Sequence, residues 1–337
     1  MNPFDENPNP VPSHEPAPAT QESMKDLAAR IVVHAPDGAA HPGGEPNFVV
    51  ATPVPPPPPA NAFLPEDLRI TWGWPHFFGF LGFGFVSFVI TQVAAGIYLV
   101  AKSHIPHPTQ EQLRQMLISQ PQVPIAANIA LFALIIFFLY VTLSVVKGIP
   151  YWVTLGWRKL KSVQDFPSNP WLYLAAGVGL SICVAMVSYF VKPKEALPIE
   201  DLLRSRIGLL LVMGTAVFVA PLVEETVFRG YLYPLFASTY ARSAMNRGAD
   251  PESAVRRGTG FGIVLTGTLF GLMHGLQLGW NLALVSVLLV VGLIFTFVRA
   301  RTGSVLASFL LHLGYNSFIA LAAIISTRGF TQIPPHP

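Results

Sequence analysis

The chain has 337 residues, of which 52% are hydrophobic and only 12% are charged, and its formal net charge is +3. Soluble domains carry about twice that share of charged residues, so this composition excludes an ordinary soluble globular protein. The small positive charge is typical of lysine and arginine at a membrane surface and does not indicate nucleic-acid binding. The single cysteine, Cys183, excludes an internal disulfide framework.

The amino-terminal segment differs in composition from the rest of the chain. Residues 1–68 are rich in proline, including "PVPPPPPA" at 53–60, and poor in aromatic and long apolar side chains. Such a segment buries too little apolar surface to offset its conformational entropy. We therefore predict a disordered, proline-rich tail over 1–68.

Apolar runs of about 20 residues, the length that crosses a bilayer, begin after the tail. Residues 69–204 are predicted to hold the first three transmembrane helices, at 77–101, 124–146 and 171–191. Between the first two, Thr109 is a candidate N-cap for a short interfacial helix over 109–120, whose apolar residues share one face.

Four further spans are predicted in residues 205–326. The fourth starts near Ile207, and the others lie at 258–278, 281–298 and 303–326, followed by a short tail at 327–337. The fold class is therefore all-α, a polytopic membrane helix bundle with about seven transmembrane helices.

Positively charged loops set the expected orientation. Lysine and arginine are concentrated in the predicted loops 147–170 and 237–257 and in the turn between the sixth and seventh spans. These three connections fall on one side if the spans alternate, and that side is expected to be cytoplasmic. We therefore expect a multi-pass protein of a bacterial cytoplasmic membrane with a cytoplasmic amino terminus.

A few ionisable or strongly polar residues interrupt the apolar runs of the last four spans. Each costs several kcal/mol in a membrane, so such residues are functional candidates. They are Glu224, Glu225 and Arg229 in "APLVEETVFRGYLYPLF", His274 in the fifth span, and His312 and Asn316 in the seventh.

Helical spacing sorts these residues. Glu225 and Arg229 are four apart, so they share a helix face and can form an ion pair. Glu224 is rotated by about 100° from Glu225, which leaves it free for another role. His312 and Asn316 also share a face. Because the apolar run continues past Arg229, we predict a long fourth helix centred near Glu224, so that Glu224 and His274 lie at a similar depth.

The carboxylate, imidazole and amide side chains within the predicted spans are suited to peptide-bond hydrolysis. A carboxylate beside a neutral imidazole can deprotonate a water, and a histidine with an asparagine can donate hydrogen bonds to the resulting oxyanion. The sequence contains no GxSxG or HExxH motif and no aspartate in a predicted span. Two alternatives use the same residues: a proton-coupled transporter, and a non-catalytic membrane scaffold.

Three motifs carry a family resemblance. "EETVFR" (224–229) matches EExxxR, "FGLMH" (270–274) matches FxxxH, and "HLGYN" (312–316) matches HxxxN. In this order, on separate spans, they resemble the CPBP family of membrane endopeptidases, which includes CAAX proteases and bacteriocin-processing (Abi) proteins. The resemblance covers roughly 205–325.

The resemblance implies roles for these residues. Glu224 and His274 would activate water, His312 and Asn316 would form the oxyanion hole, and Glu225, Arg229 and Phe270 would support them. The substrate would be a membrane-associated protein or peptide, such as a prenylated CAAX protein, with the lipid bilayer as the only other partner and no nucleic acid. No cofactor is expected, and zinc, held by the glutamates and histidines, is the alternative.

Overall fold

The computed structural model describes residues 59–105, 107–163, 165–191 and 197–329. That part of the chain is helical and contains no strand, which confirms the predicted all-α membrane bundle. Its longer helices are α1 (Trp74–Ser103), α2 (Gln110–Ser119), α3 (Gln122–Val145), α4 (Pro170–Tyr189), α5 (Arg206–Asn246), α6 (Pro251–Met273), α7 (Leu282–Thr302) and α8 (Val305–Ser326).

Six of the described helices, rather than seven, are long and apolar enough to cross a membrane. The predicted span that is not among these six is the fifth, at 258–278, which corresponds to α6. It starts earlier, at Pro251, and its first two turns carry Glu252, Arg256 and Arg257. Charges at these positions lower the apolarity of a helix that is otherwise long enough to span.

The fourth span is one continuous run of 41 residues, α5, and Glu224 lies near its middle as predicted. A straight α-helix of that length measures about 60 Å, twice the hydrocarbon thickness of a bilayer. The predicted loop 237–257 is therefore wrong, because α5 continues to Asn246 and only four residues separate it from α6. The second half of α5 packs against α6 as a helical hairpin.

Two stretches of α5 are π-helical, Thr215–Val219 and Glu225–Leu232. In the first, the Ala220 amide donates to the Thr215 carbonyl five residues back. The same pattern would pair residue 221 with Ala216, but Pro221 has no amide hydrogen to donate. The carbonyl of Ala216 therefore accepts neither from the Ala220 amide, which donates to Thr215, nor from Pro221.

The predicted end of the tail at residue 68 is too late. Residues 1–58 lie outside the described part of the chain, but 59–68 are ordered and contain two short 3₁₀ helices, Ala60–Phe63 and Glu66–Leu68. Leu64 and Leu68 are buried against Tyr233, Ala237 and Ala241 of α5. Two ion pairs add to this packing: Asp67 pairs with Arg299 at 2.9 Å and Glu66 with Arg158 at 3.1 Å.

The short helix predicted between the first two spans is present as α2. Thr109 caps it, since its hydroxyl accepts from the Gln112 amide and the Gln112 side chain accepts from the Thr109 amide. This reciprocal capping box satisfies two donors that would otherwise be left free at the helix start.

Helices α4 and α8 cross at two glycines, Gly177 and Gly314. A Cβ at Gly177 would overlap the carbonyl of Leu311, and one at Gly314 would overlap the carbonyl of Leu174. The absence of side chains lets the two backbones touch, as in other membrane helix pairs. This crossing fixes the position of the turn of α8 that carries His312.

We expect Gly177→Ala to destabilise the protein by about 1–3 kcal/mol, because the new methyl group forces α4 and α8 apart. Thermal unfolding in detergent measures the effect. Gly179→Ala on the same helix is the matched control, since its Cβ would meet nothing within 4 Å. Equal melting temperatures for the two variants would show that the close crossing does not contribute to stability.

Candidate active site

A cavity of about 450 Å³ opens between the helices around the middle of α5. The side chains of Glu224, Phe270, His274, His312 and Asn316 all line it. They come from α5, the end of α6 and α8, and they include every residue that the sequence assigned to water activation or to the oxyanion. The structure therefore brings together residues separated by up to 92 positions in the chain.

Glu225 and Arg229 form the predicted ion pair. Arg229 Nη1 lies 3.0 Å from Glu225 Oε1, and both side chains are 0% exposed. Arg229 also donates to the Gly292 carbonyl at 3.0 Å and to the Thr296 hydroxyl at 3.3 Å. These bonds satisfy donors that burial would otherwise leave unpaired, which lowers the cost of removing the arginine from water. The turn is π-helical rather than α-helical, and the spacing of four still brings the two side chains together.

Glu225 has a second partner that the sequence did not indicate. Its Oε1 lies 3.0 Å from His312 Nδ1. A carboxylate can only accept, so Nδ1 carries the hydrogen. His312 Nε2 then donates into the cavity only when the ring carries both protons, and it lies 3.9 Å from Glu224 Oε2. Glu225 thus fixes the orientation of His312 as well as pairing with Arg229.

Glu224 is the free member of the glutamate pair, as helical phase predicted. No hydrogen bond to Glu224 is present among the described residues, and 18% of its side chain is accessible, at the cavity wall. Glu224 and His274 line the same cavity, which agrees with the predicted common depth. Among the described residues the two side chains make no direct hydrogen bond, so a molecule in the cavity would have to connect them.

His274 does not lie inside a span, as the sequence suggested, but in the turn that follows α6. The helix ends at Met273, and residues 274–280 form successive turns. His274 Nδ1 lies 2.8 Å from the Phe270 carbonyl, which can only accept, so Nδ1 donates. In the neutral ring, Nε2 is then an acceptor. The signal for the helix end was present in the sequence as Gly275 and Gly279.

Asn316 is held by the carbonyl that Pro221 leaves free. Its Nδ2 donates to the Ala216 oxygen at 2.7 Å. An amide nitrogen has two hydrogens, so one N–H remains for a second acceptor. The Ala216 carbonyl, to which Pro221 cannot donate, thereby orients a side chain that lies 100 residues after Ala216 in the chain.

Phe270 lies at the centre of the polar groups. Its ring is 4.4 Å from the Arg229 guanidinium, 4.7 Å from the His274 ring and 5.9 Å from the His312 ring. A cation over an aromatic face is stabilised, the more so when water is excluded. Phe270 therefore separates the buried ion pair from the cavity and supports both histidines.

Comparison with known families found a match that contains the cavity residues Glu224, Phe270, His274, His312 and Asn316. Residues 206–318 match the model of the family described as "Type II CAAX prenyl endopeptidase Rce1-like". The matched segment, 206–318, is therefore similar to this family, and we refer to it as the Rce1-like domain. The match contains all three motifs, so the resemblance to the CPBP membrane proteases is confirmed over it. A search of the curated proteins and a search of the solved structures each found no match.

The Rce1-like domain does not enclose the cavity alone. Helices α1 and α3, which lie outside the matched segment, contribute Gln92, Ile125, Asn128 and Phe132 to the wall. The two amides were not predicted as site residues, because a single glutamine or asparagine in an apolar run is often a packing residue. His76 was not predicted either; it bonds to the Tyr231 and Thr142 hydroxyls at 2.7 and 2.8 Å and joins α1, α3 and α5.

The Rce1-like domain offers few ligands to a metal ion in this arrangement. Within the described ranges, no group of three or more His, Cys, Asp and Glu side chains is placed to hold one. Glu224 and His312 come near each other, but Glu225 is occupied by Arg229 and His312. As they lie, these residues do not fit the three protein ligands of a catalytic zinc site.

Proposed function

We propose that this protein is an intramembrane endopeptidase that hydrolyses a peptide bond of a membrane-associated protein or peptide, with a prenylated CAAX substrate as the first candidate. The observation that carries the proposal is the convergence of Glu224, His274, His312 and Asn316 on one cavity within the Rce1-like domain. We also propose that the protein spans a bacterial cytoplasmic membrane with its amino terminus in the cytoplasm.

The chemistry begins with water activation. Glu224 accepts a proton from a water in the cavity, while His274 Nε2 accepts a hydrogen bond from the remaining O–H of that water and orients it. The water oxygen bonds to the carbonyl carbon as the carbonyl π bond opens. The proton held on Glu224 then passes to the departing amine as the C–N bond breaks, which regenerates the carboxylate.

The negative charge on the carbonyl oxygen needs donors that are already in place. The free N–H of Asn316 is one, because its other N–H is anchored on Ala216. His312 Nε2 is the other in the doubly protonated ring, whose second N–H is held by Glu225. This assigns the buried Glu225–Arg229 pair a positioning role, since it orients His312.

Water activation by Glu224 and His274 needs no metal ion, and a chelator experiment tests this part of the proposal separately. Purified protein, shown by elemental analysis to be metal-free, is expected to retain its cleavage activity. Loss of activity on chelation, with recovery on addition of zinc, would contradict glutamate-dependent water activation.

The experiment for the activity itself uses purified protein in liposomes. We expect it to cleave a farnesylated CAAX peptide or a member of a membrane-protein panel, and Glu224→Ala to cleave none of them. Proton flux is measured in the same liposomes. Flux that depends on Glu224, without cleavage of any substrate, would favour a proton-coupled transporter and contradict the proposal.

Asn316→Ala is expected to lower kcat by about 10²- to 10³-fold, because it removes one oxyanion donor. KM should change little, since the ground-state carbonyl carries no full charge. Asn281→Ala is the control: Asn281 caps α7 through the Leu284 amide and does not line the cavity. An equal loss of activity in both variants would argue against a specific role for Asn316.

A further inference from the structure

Two carboxamides line the cavity from outside the Rce1-like domain. Gln92 lies well inside α1 and Asn128 lies in α3. Both helices are long and apolar enough to cross a membrane. Neither residue belongs to the three motifs, and neither takes part in the proposed hydrolysis.

Both side chains lack a partner within the part of the chain that the structure describes. No hydrogen bond to Gln92 or Asn128 is present there, whereas Asn316 and His274 in the same cavity are anchored. Asn128 is half-buried and Gln92 is exposed, so both carboxamides are open to a molecule that enters the cavity. Within a membrane-spanning segment, a carboxamide that finds no partner costs several kcal/mol. The chain keeps two of them at one cavity, which indicates a ligand that supplies the missing hydrogen bonds.

The chemistry of the wall narrows the choice of ligand. The described residues that line the cavity include no lysine or arginine, so an anionic lipid headgroup or free carboxylate would find no counter-charge. A carboxamide offers both a donor and an acceptor, which is what one peptide group requires. Ile125 and Phe132 flank Asn128 on the same helix, so the amide lies among apolar contacts.

We propose that Gln92 and Asn128 form a subsite that binds peptide groups of the substrate backbone and positions the scissile bond at Glu224. The subsite rests on the proposed endopeptidase function and extends it, because it assigns a substrate-binding role to α1 and α3. The backbone is bound through its N–H and C=O groups, so the subsite is indifferent to the side chains next to the cleaved bond.

The test uses near-isosteric apolar variants, Gln92→Met and Asn128→Leu, with Gln122→Leu as the matched control. Gln122 is an exposed glutamine at the start of α3 that does not line the cavity. The probe is a farnesylated CAAX peptide, together with a series in which one backbone nitrogen at a time is methylated. Each subsite variant is expected to lower kcat/KM by about tenfold, the worth of one hydrogen bond. The control should match the unmodified protein.

The methylated series distinguishes a backbone subsite from a structural role. At one position, methylation should lower kcat/KM for the unmodified protein but cause no further loss in Gln92→Met or Asn128→Leu. Independent losses at every position would overturn the subsite. If the variants do not fold, the series on the unmodified protein decides, and equal cleavage of all methylated peptides overturns the proposal.

Binding separates failure of the subsite from failure of the proposed function. Peptide affinity is measured by fluorescence anisotropy in a Glu224→Gln background, where no cleavage is expected. If the protein cleaves nothing but Gln92→Met weakens binding about tenfold, the subsite stands and the endopeptidase role falls. If cleavage is found and both variants bind and cleave normally, the endopeptidase role stands and the subsite falls.

Discussion

Glu224→Gln is expected to lower kcat for peptide cleavage by about 10²- to 10⁴-fold, because the amide cannot accept the proton of the attacking water. KM should change little, since the amide keeps the size of the carboxylate and Glu224 makes no hydrogen bond that holds the described structure together. Steady-state kinetics on the purified protein measures both quantities.

The matched control for this prediction is Glu252→Gln. Glu252 is an exposed glutamate in the first turn of α6, away from the cavity. It should leave kcat, KM and the melting temperature unchanged. A Glu224→Gln protein that cleaves as fast as the Glu252→Gln protein would remove Glu224 from the reaction.

Arg229→Met is expected to destabilise the protein by about 3–5 kcal/mol, the usual effect of leaving one partner of a buried ion pair uncompensated. Glu225 would remain fully buried beside His312 with no cation from its own helix. The melting temperature in detergent and the yield of folded protein both report the loss. Arg256→Met, an exposed arginine on α6, is the control and should behave as the unmodified protein.

A double variant tests whether the effect comes from the stranded charge. Glu225→Leu combined with Arg229→Met removes both charges, so it should be more stable than Arg229→Met alone. A double variant whose destabilisation equals or exceeds the sum of the two single variants would mean that packing, and not the uncompensated charge, accounts for the loss.

The sequence predicted the parts of the site that follow from local rules. Apolar runs define spans, and charges within them are expensive, so Glu224, Glu225 and Arg229 could be found without a structure. The spacing of four between Glu225 and Arg229 predicted their ion pair, and the structure contains it with an N–O distance of 3.0 Å. The length of the apolar run predicted that Glu224 would lie near the middle of a long helix.

The parts that it could not predict depend on contacts between distant segments. The π-helical turns of α5 free the Ala216 carbonyl, and only the packing of α8 brings Asn316 to it. Glu225 reaches His312 across 87 residues, which no spacing rule covers. Gln92 and Asn128 could not be separated from packing amides until the cavity was known.

The tail boundary illustrates the same limit. Composition predicted disorder to residue 68, but Leu64 and Leu68 fit against α5, and Asp67 pairs with Arg299 on α7. Average composition does not record which few residues of a segment meet a complementary surface of the helix bundle, so it could not predict this packing.

The account as a whole claims that Glu224 activates a water that attacks a peptide carbonyl, and a single-turnover reaction in ¹⁸O-labelled water tests this most directly. Excess purified protein is mixed with the farnesylated peptide, and the new carboxyl group is analysed by mass spectrometry. We predict one ¹⁸O atom in every product molecule of the first turnover, and no product from Glu224→Gln. Unlabelled first-turnover product, whose oxygen comes from the protein, or equal product from the variant would contradict the account.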